Sequence, residues 1–318
     1  MRVGDGKFQY ELIHDWGRLP AQWSFGAVSD GAVNSQGRVY LLSRSAHPVM
    51  SFDPDGLFLG AWGEGMITKG HGITIGPDDS VYVVDEGDHT VKKFTSAGKL
   101  LLTLGTQGRP SDTGYNGKDY RTIKRPGPPF NRPTSLAVAP SGELYVTDGY
   151  GNVRVHKFSA DGHLLSSWGE IGTGPGQFRI VHTVCVDKRG TLYVADRESD
   201  RVQVFDAEGK FLAAWTDMHR PNGMFLGADD CLYLTELYDS PRAERAALPA
   251  QISIWTLQGE QLARWGAEDF SVPANFFAPH GLWGDAQGNL YVGELEVSSH
   301  RGPRPAAYPA VHKLVRVS

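Results

Sequence analysis

The sequence predicts an all-β chain folded as a six-bladed β-propeller, and three observations carry that prediction. An apolar-Tyr-apolar strand core recurs six times, as VYLLSR, VYVVDE, LYVTDG, LYVADR, LYLTEL and LYVGEL. A turn with glycine or aspartate precedes each core, in SQGR, PDDS, PSGE, KRGT, ADDC and AQGN. No long apolar pattern of helical period intervenes between the units.

The repeated tyrosines, Tyr40, Tyr82, Tyr145, Tyr193, Tyr233 and Tyr291, lie roughly 40 to 63 residues apart, and the shorter spacings suit one blade. A third strand follows most cores, seen as VKKF, VRVHKF, VQVF and ISIW. A Gly turn and a fourth strand then close several units at Trp62-Gly63, Trp168-Gly169 and Trp265-Gly266. Four short strands cannot bury both faces alone, whereas radial packing of blades buries them and leaves short protected edges. The last unit stops at its third strand, VHKLVRV. The N-terminal FQYELIHDWGRLP reads as its missing fourth strand, ending in Trp16-Gly17, so the ring closes on the chain's first residues. One propeller domain over residues 1–318 is expected.

Three insertions break the period. The longest, about 106–131 (TQGRPSDTGYNGKDYRTIKRPGPPFN), is polar and rich in glycine and proline, and is expected to act as a lid over the channel mouth. Shorter ones run near Asp239–Ala250 and Ser298–Pro309.

Composition narrows the partners. A net charge of −5 gives no electrostatic footprint for nucleic acid, and no run approaches the apolar length of a membrane span. The expected partner is a small-molecule or peptide-like substrate. The two cysteines, Cys185 and Cys231, sit in strand-like apolar runs as buried hydrophobes rather than a disulfide framework. With no apolar leader in MRVGDGKFQYELIHDW, a reducing cytoplasmic location is expected.

Aligning the first strands exposes the chemistry. The opening position reads His71 in HGIT, Thr134 in PTSLAV, His182 in VHTVCV, Asn222 in PNGMFL and His280 in PHGLW, with the first blade matching near Gly26 to Ala27. Histidine thus occupies alternate blades, about 120° apart around a channel lined by first strands. Three imidazoles with one side open make a catalytic rather than a structural metal site, and zinc suits them, as do other divalent transition metals. The other eight histidines lack this registry and read as surface or loop residues.

Two further registers lie past the second strands. Ser43, Asp85, Asp148, Asp196, Glu236 and Glu294 read as turn chemistry, since carboxylates accept backbone N–H groups readily. The next position holds Arg44, Glu86, Gly149, Arg197, Leu237 and Leu295. Arg44 and Arg197 can hold a substrate carboxylate through a bidentate fork or serve as salt-bridge partners. One residue on, Tyr150 is a candidate proton carrier. Tyr238 in the same slot is a half-buried aromatic or, with Asn222, a candidate substrate contact.

At these residues the chain resembles the catalytic core of peptidyl-α-hydroxyglycine α-amidating lyase, within the wider group of NHL-repeat propellers. The likeness is strongest over PTSLAVAPSGELYVTDGYGNVRVHKFSADGHLLSSWGE, GPGQFRIVHTVCV and YVADRESDRVQVF, and weaker from about residue 26 to 297. The resemblance implies zinc on His71, His182 and His280, Tyr150 as catalytic base, and Arg44 and Arg197 as the matches of two arginines of that site. The implied reaction splits a carbinolamide C–N bond, releasing glyoxylate and an amide without redox chemistry. Three positions depart from the family: Ala278 replaces a methionine, Gly281 replaces a calcium-binding aspartate, and Gly151 replaces a disulfide cysteine. A structural Ca2+ is therefore not expected. Two other readings stay open on the same fold: a metal-dependent hydrolase such as a lactonase, and a non-catalytic NHL-type protein-interaction propeller.

Overall fold

The computed structural model describes residues 1–241, 246–298 and 300–317. Its sheets form the six-bladed β-propeller arrangement that the repeats predict. In each blade the chain runs outward strand by strand, so the first strand of the repeat is the inner one. Two compact units are distinguished, Gly63–Met218 and Met1–Trp62 with His219–Ser318.

The unit Gly63–Met218 holds blades 2, 3 and 4, whose inner strands are Gly70–Ile75, Pro133–Val138 and Val181–Val186. The inner strand of blade 3 packs between those of blades 2 and 4. The second strands are buried along their whole length, which explains their continuous apolar cores. Tyr82, Leu104, Leu136 and Phe158 build one part of the core; Tyr145, Phe178, Val194 and Phe205 build another. The 106–131 insertion belongs to this unit. It carries one turn of 3-10 helix, Tyr120–Thr122, and packs Tyr115, Tyr120 and Ile123 against the second cluster.

The other unit holds blades 5, 6 and 1, with inner strands Pro221–Leu226, Pro279–Gly284 and Val28–Val33. The N-terminal strand Phe8–Ile13 pairs antiparallel with Val311–Arg316 and completes blade 6, as expected. It ends at Ile13 rather than at Trp16-Gly17, because Asp15 adopts a left-handed φ of 57° that stops the extended run. Trp16 turns inward, 5.4 Å from the Phe52 ring and 5.2 Å from the Tyr291 ring. A strand unforeseen in the repeat, Arg2–Asp5, folds back on Phe8–Ile13 as a fifth strand of that sheet. Residues 242–245 of the Asp239–Ala250 insertion and residue 299 of the Ser298–Pro309 insertion lie outside the described residues.

Candidate active site

Every blade breaks its register at the same place. The pairing of inner and second strands skips Ser29, His71, Thr134 and His280, and in two blades skips His182 or Asn222 together with the following residue. A bulge leaves its residue out of the ladder and re-aims the side chain. The register also corrects the first blade: Val28 pairs with Ser43 as Gly70 pairs with Asp85, so the matching position is Ser29 and not Gly26 or Ala27.

The acidic register holds each bulge in place. Asp85 accepts the N–H groups of Thr68 and Lys69 at 2.7 and 2.8 Å, just before His71. Asp196 accepts those of Arg179 and Ile180 before His182, at 3.0 and 3.3 Å. Glu294 accepts those of Phe277 and Ala278 before His280. These are the turn bonds expected of that register, and all three carboxylates are fully buried. Asp85 and Asp196 each face a cation, Lys92 at 3.2 Å and Arg201 at 3.0 Å, and His312 Nε2 lies 3.3 Å from Glu294. His156 and His219 sit likewise by Asp148 and Glu236, at 3.6 and 2.9 Å. These three histidines are buried, contrary to their reading as surface or loop residues, each with a ring nitrogen facing a buried carboxylate on a neighbouring segment.

The bulged side chains bond from one blade to the next. His71 Nδ1 lies 2.6 Å from the Thr134 carbonyl oxygen, and His280 Nδ1 lies 2.6 Å from that of Ser29. Asn222 Nδ2 donates to the His280 carbonyl at 2.9 Å, and Thr134 Oγ1 donates to the Val181 carbonyl at 2.9 Å. A carbonyl only accepts, so Nδ1 of His71 and of His280 carries a proton, and Nε2 is the atom through which the neutral ring can ligate. This is the tautomer that a metal-ligating imidazole needs.

Tyr150 stands against two of these rings. Its hydroxyl lies 2.9 Å from His71 Nε2 and 3.1 Å from His182 Nε2, while Arg197 Nη1 donates to it at 3.3 Å. Burial opposes the Arg197 charge, but the Tyr150 oxygen and the Glu198 carboxylate beside it raise the guanidinium pKa above the usual arginine value. The turn bearing Tyr150 is held from both sides. A Cβ on Gly149 would come within 2.6 Å of the Val181 backbone nitrogen. A Cβ on Gly151 would come within 2.8 Å of the Asn131 carbonyl oxygen. Gly151 N–H donates to that same oxygen at 2.9 Å, and Thr113 Oγ1 donates to the Gly151 carbonyl at 2.6 Å. The insertion thus anchors the turn by hydrogen bonds at the position where the resemblance implied a disulfide.

His71 and His182 stand together in the Gly63–Met218 unit, buried and with ring centroids 4.8 Å apart, and His280 is buried in the other unit. Imidazoles paired in this way can ligate a metal ion. Arg44 ends the second strand of its blade and donates its backbone N–H to the Ala27 carbonyl at 2.9 Å. Tyr238 lies under the Arg301 guanidinium, 4.0 Å from ring centroid to carbon. At Gly281 a Cβ would come within 2.5 Å of the Asp30 Cα, so the calcium-binding aspartate of the lyases has no room there.

Sequence comparison then fits this frame. A model of the NHL repeat matches residues 130–158 and 178–205, the blades that carry Tyr150 and His182. The chain carries NHL repeats. Over 230 residues the chain is 36% identical to human NHL repeat-containing protein 3, covering 68% of this chain and 62% of that protein. It is 30% identical over 256 residues to peptidyl-alpha-hydroxyglycine alpha-amidating lyase 1 of Drosophila melanogaster, covering 74% of this chain and 44% of that one. The chain therefore spans less than two thirds of the length of these relatives. Among solved structures, virginiamycin B lyase from Staphylococcus aureus superposes with a TM-score of 0.61 over 98% of this chain and all of that one, at 15% identity. That likeness is one of fold.

Two residues of the cluster carry no sequence signal of their own. Arg132 lies over the Tyr150 ring, 5.4 Å from its centroid, and donates to Glu86 at 2.6 Å and to the Tyr115 hydroxyl at 3.1 Å. Arg132 precedes the inner strand by one residue and Tyr115 lies in the insertion, so neither falls in a repeated register.

Proposed function

We propose that this chain is a metal-dependent lyase that cleaves the C–N bond of a carbinolamide or related small α-hydroxy amide. The observation that carries the reading is a tyrosine hydroxyl set against the Nε2 atoms of two buried histidines, with an arginine donating to that hydroxyl. His71, His182 and His280 would hold the metal, zinc by the chemistry of imidazole donors. When bound, a divalent metal supplies Lewis acidity that makes a substrate hydroxyl easier to deprotonate.

The chain's own groups do the rest. Tyr150 takes the proton of the substrate hydroxyl. As the carbon–oxygen double bond forms, the C–N bond breaks and its electron pair goes to nitrogen. Tyr150 then delivers the proton to that nitrogen, so an aldehyde and an amide leave in equal amounts with no change in oxidation state. Arg197 stabilises negative charge on the Tyr150 oxygen through its 3.3 Å contact. Arg44 and Arg197 would hold the carboxylate next to the carbinol carbon. The likeness to the lyases over three quarters of the chain supports this assignment of roles.

The donor set speaks against a calcium-dependent lactonase, because calcium takes oxygen ligands. The test is to incubate zinc-replete protein with N-benzoyl-α-hydroxyglycine and measure glyoxylate and benzamide. Equal release of both, lost in Y150F and H71A, is expected. Breakdown at the spontaneous rate by fully metallated protein would overturn the reading and leave an interaction scaffold.

A further inference from the structure

Arg132 is held as a recognition group is held. Its backbone adopts a left-handed φ of 64° immediately before Pro133, a conformation that side-chain-bearing residues keep only where the surroundings impose it. The surroundings do so here: the Arg132 N–H donates to His89 Nδ1 at 3.0 Å. Glu86 and Tyr115 each take one N–H of the guanidinium, which orients its plane and leaves further N–H groups on it. The side chain keeps 26% of its surface exposed, beside the ring whose hydroxyl meets His71 and His182.

Glu86 does not use up this cation. Its carboxylate is buried and also meets Lys69 at 2.9 Å, so two positive groups share one negative charge. Arg197 and Glu198 form a second pair on the other contact of Tyr150. Across these two clusters Arg132, Lys69 and Arg197 face two carboxylates, Glu86 and Glu198. A planar, pre-oriented guanidinium with spare donors is built for the two oxygens of a carboxylate.

We infer that Arg132 is a specificity-determining residue, selecting substrates that carry a second carboxylate on their acyl side, beyond the carboxylate next to the carbinol carbon. The inference rests on the lyase reading for the identity of the substrate, but its recognition step is independent of turnover. Glu86 and Tyr115 are positioning residues that act through Arg132.

Binding and turnover separate the two. The binding probes are N-succinylglycine and N-butyrylglycine, which match in length and lack the carbinol, titrated calorimetrically into the zinc-replete full chain. The succinyl compound should bind on the order of tenfold more tightly, as expected for one hydrogen-bonded charge pair. R132Q should abolish that difference, and R132K should restore part of it. Equal affinity of the two compounds for the wild-type chain overturns the inference, even if R132Q does not fold. So does a preference that survives R132Q, since an arginine serving only as counter-ion to Glu86 would change the melting temperature and leave the ratio alone. A succinyl preference without any glyoxylate release from N-succinyl-α-hydroxyglycine would sink the lyase reading and keep the recognition site.

Discussion

His71 Nδ1 lies 2.6 Å from the carbonyl oxygen of Thr134, the residue at the same bulged position of the next blade. The contact decides a tautomer. It places the proton on the nitrogen facing the neighbouring blade and leaves Nε2 as the acceptor toward the Tyr150 hydroxyl, and His280 repeats the Nδ1 contact with Ser29. The blade-to-blade bond thus prepares the His71 and His280 imidazoles before any ligand arrives.

Metal binding should follow from that preparation. Protein expressed with zinc and dialysed without chelator is expected to carry close to one equivalent by elemental analysis. H71A and H182A should each bind far less, and chelator should lower the melting temperature of the wild type, because a ligand that binds only the folded state stabilises it by mass action. Metal content below about a tenth of an equivalent in the wild type would rule out a resident ion.

Y150F keeps both rings and removes one hydroxyl. Turnover of N-benzoyl-α-hydroxyglycine should drop roughly 10²- to 10⁴-fold, the range for losing a positioned proton carrier, with zinc content and melting temperature close to wild type. Parallel loss of zinc would make Tyr150 a structural prop of the histidines instead.

Gly149 has no room for a side chain. G149A drives a methyl into the Val181 backbone, next to His182, and should cost about 3 kcal/mol or more in urea unfolding. An unchanged unfolding midpoint would show that the Tyr150 turn can shift without cost.

Asn222 is a strut in this structure, since its amide nitrogen donates to the His280 carbonyl at 2.9 Å. N222A leaves a buried acceptor without that donor and should cost about 1–3 kcal/mol. A substitution that altered substrate affinity with stability intact would return Asn222 to the role of a substrate contact.

His89 gives stability a pH dependence. Burial, together with the nearby Arg132 charge, holds its pKa below the ordinary 6.5, while Asp148, Asp88 and Asp85 pull the other way. The unfolded chain therefore binds the proton more readily than the folded one. Stability from this group is complete above about pH 6.5 and declines as pH falls toward the lower folded value. Urea titrations at pH 7.5 and 5.5 should show wild type losing more stability than H89Q over that interval. An equal loss in both would place the dependence elsewhere.

Much of this was legible in the residues. The six Tyr cores and their preceding turns specify four-stranded blades, because strand pattern and turn chemistry are local properties that repetition makes visible. Register then singled out His71, His182 and His280, Tyr150 and Arg197 at matching distances from the same cores. The second register was also read correctly as turn chemistry, since a carboxylate after a strand meets backbone donors wherever the chain bends back. Arg132, Tyr115 and Asn131 were not legible. They act from a stretch with no repeat to align, and their partners lie 15 or more residues away in sequence. The buried His156, His219 and His312 escaped for the same reason: a carboxylate on a neighbouring element, not their own position, makes them interior.

The sequence by itself thus determined the blade, its sixfold repetition and the alternation of histidine around the repeat, all of which follow from periods along one dimension. Only the tertiary structure decided where each side chain points. The bulge at Ser29, His71, Thr134, His182, Asn222 and His280 is a break in pairing between strands, and the carbonyls that orient the His71 and His280 rings belong to other blades. Such contacts exist only once separate elements pack, so they set the tautomer, the Tyr150 contact and the place of Arg132 without leaving a trace in local pattern.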